Sequence, residues 1–245
     1  MHTKQQLKAL AHARRGVIVP GAFNALSARV VADLGFEALY VTGAGVTNMW
    51  FGLPDQAFMG LTDIADHTPR IRDAVDLPLI VDADTGFGNA LNTYHAVRTL
   101  ERAGADCIQL EDQVSPKRCG HFAGKDVVEA SEMIGKIKAA CDARRDKELL
   151  IMARTDALAV EGLGSALERA AAYAAAGADM IFAEALRSLD DFRAFAAGVK
   201  APVLANLTEF GQTPYFTVDE LRATGVAMIL YPLSASRAAA VINSR

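Results

Sequence analysis

Acidic residues close several short aliphatic runs in this sequence, and their grouping is the first feature that could do chemistry. One run ends in Asp82-Ala83-Asp84 and the next in Glu111-Asp112. Others end in Arg154, with Asp156 two residues on, in Glu184 and in Asn206. Carboxylates converging from such ends repel one another unless a positive charge sits among them, and a divalent cation removes that repulsion. The donors are all oxygens, without a His or thiolate cluster, which favours Mg²⁺, with Mn²⁺ possible, over Zn²⁺. Any one acidic residue at such a position could instead cap a helix N-terminus. For the set as a whole a metal site is the better reading.

The segment after Glu111-Asp112 carries the second candidate, Lys117-Arg118-Cys119-Gly120-His121. A thiol among Lys117, Arg118 and His121 is expected to have its pKa drawn toward neutrality. Gly120 and Gly124 let the segment swing. Such a thiol suits proton donation to a carbanion as a loop closes over substrate. Cys107 lies in an aliphatic run and Cys141 in a helical pattern, and both read as structural. Thr42-Gly43-Ala44-Gly45 is small enough for backbone N–H groups to approach a carboxylate. Arg154 has the planar fork for a two-point carboxylate contact, or for pairing with Glu184 or Asp84. Trp50 and Phe51 fall in what reads as a long loop, and His67 reads as a solvated helix residue.

Something must position these groups, and the aliphatic runs supply it. Eight of them, beginning with Gly16–Pro20 and ending with Val226–Tyr231, alternate with helix-period segments. Continuous apolar runs of that length suit strands buried on both faces, and eight such units predict a (β/α)8 TIM-type barrel. No Gly-x-Gly-x-x-Gly turn follows the first run, which argues against a dinucleotide-binding open sheet. The phrases Ala103-Gly104-Ala105-Asp106 and Ala176-Gly177-Ala178-Asp179 repeat a helix–Gly–strand step. With no linker-like stretch, residues 1–245 read as one domain. In such barrels the active site lies at the C-terminal ends of the strands, where the acidic residues fall.

Composition narrows the function. The chain of 245 residues is 51% hydrophobic and 22% charged, enough to bury a large core. A net charge of −4 argues against a general nucleic-acid-binding role. No run approaches the roughly 18 apolar residues of a membrane span, and the N-terminus has no signal-like apolar stretch. The three cysteines show no paired spacing, so a reduced, cytoplasmic protein is expected.

Lys117-Arg118-Cys119-Gly120-His121 resembles the signature of the isocitrate lyase/phosphoenolpyruvate mutase superfamily. The resemblance spans almost the whole chain, through Tyr40–Gly45, Gly52-Leu53-Pro54-Asp55, Val81–Gly88 and Glu111-Asp112-Gln113. In the second half, Met152–Ala157, Asn206–Gly211 and Leu230–Ala235 are most similar to the 2-methylisocitrate lyase branch. The resemblance implies a Mg²⁺-dependent barrel acting on α-oxyacids. Asp84 is then the direct metal carboxylate, while Asp82 and Glu111 orient metal-bound water. Cys119 is the general acid, with His121 and Arg154 in the catalytic set, and Tyr40 or a metal-bound hydroxide takes the hydroxyl proton. Thr42, Gly43, Gly45, Asp55, Gly120, Arg154, Glu184, Asn206 and Thr208 hold the substrate.

The implied reaction cleaves a 2-hydroxy tricarboxylate to pyruvate and succinate. The stretch Phe122–Lys125 departs from the branch's usual pattern and keeps dimethylmalate or oxaloacetate-type cleavage open. Phosphonopyruvate chemistry is disfavoured by the Cys motif, and a degenerate ligand-binding barrel is the non-enzymatic alternative. Phe182 stands where isocitrate lyases of the family carry Trp, which favours a pocket for a 2-methyl group. The resemblance also implies a homotetramer that exchanges its C-terminal helix. The sequence ends inside the expected eighth helix, so that region is expected to be shortened.

Overall fold

The aliphatic runs form eight parallel strands closed into a barrel in chain order. They are β1 (Val17–Ala22), β2 (Leu39–Val41), β3 (Leu79–Asp82), β4 (Cys107–Glu111), β5 (Leu150–Thr155), β6 (Met180–Ala183), β7 (Val203–Asn206) and β8 (Met228–Tyr231). In this computed structural model, which describes residues 2–122 and 124–243, β8 returns to β1 with Val17 beside Met228 and Pro20 beside Tyr231. Closure leaves no strand edge unpaired. The (β/α)8 expectation therefore holds. The helix Ser234–Asn243 follows β8, where the sequence placed its eighth helix.

Strand parity explains both the core and the site. Side chains alternate between barrel interior and helix layer. Ile80, Cys107, Leu150, Met152, Met180, Phe182, Leu204, Met228 and Leu230 form one buried cluster inside the barrel. Leu79, Val81, Ile108, Ile151, Ile181, Val203 and Ile229, offset by one, pack in a second cluster with the helices. The helix Thr3–His12 closes the far end, where Leu7 and Leu10 join the interior cluster. Burying each such leucine contributes about 1.5–3 kcal/mol. Continuing the interior parity toward the strand ends reaches Asp82, Glu111, Arg154, Glu184 and Asn206.

The repeated Gly–Ala–Asp phrase has a mechanical role. Gly104 and Gly177 take φ of 102° and 116°, left-handed conformations that end a helix just before a strand. The Asp that follows braces the preceding strand. Asp106 accepts from Leu79 N–H (2.8 Å) and from Arg72 (3.0 Å). Asp179 accepts from Ile151 N–H (2.8 Å) and from Arg144 (2.8 Å) in the same manner.

Two local expectations change. Trp50 and Phe51 do not lie in a loop, because Gly43–Val46 is a short helix that runs into a π-helical turn, Thr47–Phe51. His67 is not solvated. It is 6% exposed, its Nε2–H donates to the Phe23 carbonyl (2.8 Å), and the Trp50 ring covers it with centroids 4.5 Å apart. A helical pattern marks which face is polar and cannot reveal an aromatic lid arriving from another strand's connection. Among the described residues, no helix is long and apolar enough to cross a membrane.

Candidate active site

The ends of the interior-facing positions open into one tight cavity of about 50 Å³. Its walls include Tyr40, Thr42, Asp55, Asp82, Lys117, Cys119, Gly120, His121, Arg154, Phe182, Glu184, Asn206 and Thr208. That space suits a few waters, so a polycarboxylate requires the walls to move. Of the residues singled out in the sequence, Asp84, Glu111, Gly43 and Gly45 do not line the cavity. They lie one contact behind it.

Arg154 organises the floor. Its Nε and Nη2 donate to Asp156 (2.9 and 3.1 Å), Nη2 also meets Glu184 (3.1 Å), and Nη1 meets Glu111 (3.3 Å). Burial works against its charge, but these three carboxylates outweigh that and raise its pKa well above the ordinary value. Its guanidinium lies 5.1 Å from the centroid of the Phe182 ring. Asp156 is supported from behind by Asp112, which accepts from Asp156 N–H (2.9 Å), Thr155 Oγ1 (2.8 Å) and Tyr173 Oη (2.8 Å).

The acidic trio sits beside this hub. Asp82 accepts from Gly43 N–H (3.2 Å) and Asp84 N–H (3.1 Å). Gly45 N–H donates to Thr42 (3.2 Å). The amides of Gly43 and Gly45 are thus engaged within the protein, whereas Ala44, between them, lines the cavity. Asp84 takes a left-handed φ of 46°, a conformation Asp tolerates better than most residues and one that clusters at functional sites. Burial raises its pKa to about 6 against the pull of Lys117, whose Nζ is 2.9 Å away. Glu111 is 1% exposed, neither of its oxygens accepts a hydrogen bond, and burial pushes its pKa well up.

Buried carboxylates are costly unless cations meet them, and here Lys117 meets Asp84 while Arg154 meets one oxygen of Glu111 and leaves the other, Oε1, without a partner. Among the described residues no three His, Cys, Asp or Glu side chains already form a metal cage. A hard dication that takes one or two carboxylates and keeps its remaining waters fits such a donor set, and Mg²⁺ is that kind of ion.

The thiol differs from the sequence-based expectation. Burial raises the pKa of Cys119 rather than lowering it. The expected cations are occupied elsewhere. Lys117 bridges Asp55 (2.5 Å) and Asp84, and Arg118 is exposed. Cys119 therefore holds its proton, the state a general acid needs. His121 is fixed in one tautomer, since Nδ1 accepts from Gln212 N–H (3.0 Å), leaving Nε2–H toward Glu184 Oε1 (3.2 Å). Burial also lowers its pKa. The Tyr40 phenol donates to Gln109 Oε1, and burial raises its pKa well above 10, so it is a donor rather than a base in this arrangement.

Gly120 is required by a close approach. A Cβ there would lie 2.2 Å from Arg154 Nη2 and 2.6 Å from Glu184 Oε2. Asn206 donates to Glu184 (3.3 Å) while its own Oδ1 is buried without a partner, a free acceptor at the cavity. Sequence reasoning did not single out Lys117 as a cavity-lining cation, nor Gln109 as the partner of Tyr40. Strand parity, two before Glu111, would have found Gln109. Lys117 offered no comparable signal.

Comparison with known proteins matches this geometry to a family. The phosphoenolpyruvate phosphomutase family model matches residues 7–243. The 2-methylisocitrate lyase of Shewanella oneidensis is 53% identical over 232 residues, covering 95% of this chain and 79% of that protein. The 2,3-dimethylmalate lyase of Eubacterium barkeri is 43% identical over 232 residues, covering 95% and 80%. Among solved structures, oxaloacetate acetylhydrolase in complex with the inhibitor 3,3-difluorooxalacetate superposes with a TM-score of 0.94 at 35% identity, covering 99% of this chain and 84% of that one. On both sequence and architecture, the chain belongs to the phosphoenolpyruvate mutase/isocitrate lyase superfamily.

Proposed function

We propose that this enzyme is a Mg²⁺-dependent carbon–carbon lyase that cleaves a 2-hydroxy tricarboxylate of the 2-methylisocitrate kind to pyruvate and succinate. The carrying observation is the Cys119 thiol, its pKa raised by burial, on the wall of the cavity whose floor is the Arg154 guanidinium. Identity of 53% to a 2-methylisocitrate lyase supports the substrate class.

Asp84 would hold the ion directly, with Asp82 and Glu111 orienting its water. When bound, Mg²⁺ supplies Lewis acidity toward the substrate's 2-oxygen and the adjacent carboxylate. Arg154, Asn206 and Thr208 hold carboxylates, and Phe182 offers the apolar surface on which a 2-methyl group rests. A hydroxide from the water that Asp82 and Glu111 would orient takes the substrate hydroxyl proton and leaves as water, the bond between the carbinol carbon and its neighbour breaks, and the electron pair stays on the succinate carbon. Cys119 delivers its proton there.

The reading includes a homo-oligomer of tetrameric size, to be measured by light scattering. It also includes a reduced cytoplasmic setting, to which three unpaired cysteines are suited. The test is keto-acid release from 2-methylisocitrate, 2,3-dimethylmalate, oxaloacetate and phosphonopyruvate, with Mg²⁺ and then with chelator. Pyruvate appearing fastest from 2-methylisocitrate and stopping on chelation supports the proposal. Preference for another substrate moves the chain to that branch, and metal binding without any turnover makes it a ligand-binding barrel.

A further inference from the structure

Cys119 is gripped on both sides by buried side chains that none of the roles above explains. On its N-terminal side, Gln113 holds both backbone polar groups of Arg118. Gln113 Nε2 donates to the Arg118 carbonyl (2.9 Å), and Arg118 N–H donates to Gln113 Oε1 (3.0 Å). Gln113 is 1% exposed and follows directly from β4 through Asp112, so this grip is anchored to the barrel. On the C-terminal side, Lys125 Nζ donates to the Gly120 carbonyl and to Asp156 Oδ1 (2.8 Å). The Lys125 and Asp156 side chains are 2% and 0% exposed.

We propose that Lys125 and Gln113 are positioning residues of this reaction, fixing the Arg118–Cys119 and Gly120–His121 peptides on either side of Cys119 and so holding its thiol over the cavity. The inference rests on the lyase reading for its kinetic arm only.

Three physical points carry it. A lysine is buried at a cost that only a partner such as Asp156 offsets, and a more mobile or exposed side chain would serve simple loop stability without that cost. The carboxylate it uses is not a spare one, because Asp156 also holds Arg154, so the gripped Gly120 carbonyl and the substrate-facing guanidinium share one anchor. Gly120 approaches Arg154 and Glu184 so closely that any side chain there would displace them. Lys125 ties the Gly120 carbonyl to Asp156 and so fixes the orientation of that peptide. Proton transfer is sensitive to distance, and a displacement of about 1 Å can cost about 10²-fold in rate.

The experiment compares wild type with Lys125→Met and Lys125→Arg in two readouts. The first needs no substrate: peptide-resolved mass spectrometry of iodoacetamide alkylation at Cys119, with Cys107 and Cys141 as internal references. Lys125→Met is expected to raise Cys119 alkylation at least about fivefold as the peptide is released, with the reference cysteines unchanged. The second is steady-state kinetics with Mg²⁺ and 2-methylisocitrate. There kcat is expected to fall about 10- to 10²-fold while KM changes less than about threefold. Lys125→Arg should recover part of both.

If Lys125→Met does not fold, Gln113→Glu, which keeps the shape and loses a donor to the Arg118 carbonyl, is read in the same two assays. Alkylation and kcat within about twofold of wild type in the folded variant would overturn the proposal, as would equal loosening at all three cysteines. Wild-type protein that releases no keto acid from any hydroxy acid would refute the lyase reading instead, and leaves the alkylation result to decide this one.

Discussion

Replacing Arg154 by Met removes the cation that three buried carboxylates share, and the consequence can be worked from the contacts. Asp156, Glu184 and Glu111 lie 2.9, 3.1 and 3.3 Å from the guanidinium. Removing one partner of a buried ion pair costs about 3–5 kcal/mol. Three pairs do not cost three times as much. Lys125 still holds Asp156 at 2.8 Å, Asn206 and Ala185 still donate to Glu184, and Glu111 can accept a proton. The expected loss of unfolding free energy is therefore about 3–5 kcal/mol near pH 8.

The pH dependence of that loss tests its origin. A buried carboxylate deprived of its cation has a folded-state pKa above its unfolded value. The folded variant then binds more protons than the unfolded chain, and its relative stability improves as the pH falls. Urea unfolding followed by circular dichroism at about pH 8 and about pH 5 should show the gap from wild type narrowing on acidification. A gap below about 1 kcal/mol, or one that widens at the lower pH, refutes the assignment of Arg154 as the shared counter-ion.

Gly120→Ala places a methyl 2.2 Å from Arg154 Nη2, and the resulting shift of the thiol should lower kcat/KM about 10²-fold with less than about 2 kcal/mol lost in unfolding. Tyr40→Phe leaves the buried Gln109 Oε1 without its donor, and denaturant unfolding should record a loss of about 1–3 kcal/mol. Burial raises the pKa of Asp156, but Arg154 and Lys125 outweigh it and hold the acid at about 2. With a folded value below the unfolded one of about 3.9, its contribution of about 2 kcal/mol is complete above about pH 4 and is lost as the pH falls toward 2. Acid unfolding of Asp156→Asn should lack that steep segment.

Strand order and the acidic strand ends were legible because both follow from local regularities. Apolar runs long enough for two-sided burial mark all eight strands, β1 to β8, and the side-chain period of two puts Asp82, Glu111, Arg154 and Glu184 on the interior face. The state of the Cys119 thiol was not legible. Proximity in sequence to Lys117 and Arg118 suggested a lowered pKa, but Lys117 turns to Asp55 and Asp84 and Arg118 to solvent. Which way a side chain turns depends on partners more than 30 positions away. His67 is likewise covered by tertiary contacts that its helical pattern does not reveal, the Phe23 carbonyl and the Trp50 ring. The Asp156–Lys125–Gly120 contact joins a strand end to a loop through tertiary packing alone, and no spacing in the sequence announces it.

The proposed cleavage depends most on a thiol that gives its proton to the cleaved carbon. The most direct check is to follow 2-methylisocitrate with Mg²⁺ in wild type and Cys119→Ser, quantifying pyruvate and succinate together. Wild type should release the two in equal amounts, and the variant should turn over about 10²-fold or more slowly while binding substrate normally. Equal turnover by the variant, or no succinate from the wild type, contradicts it.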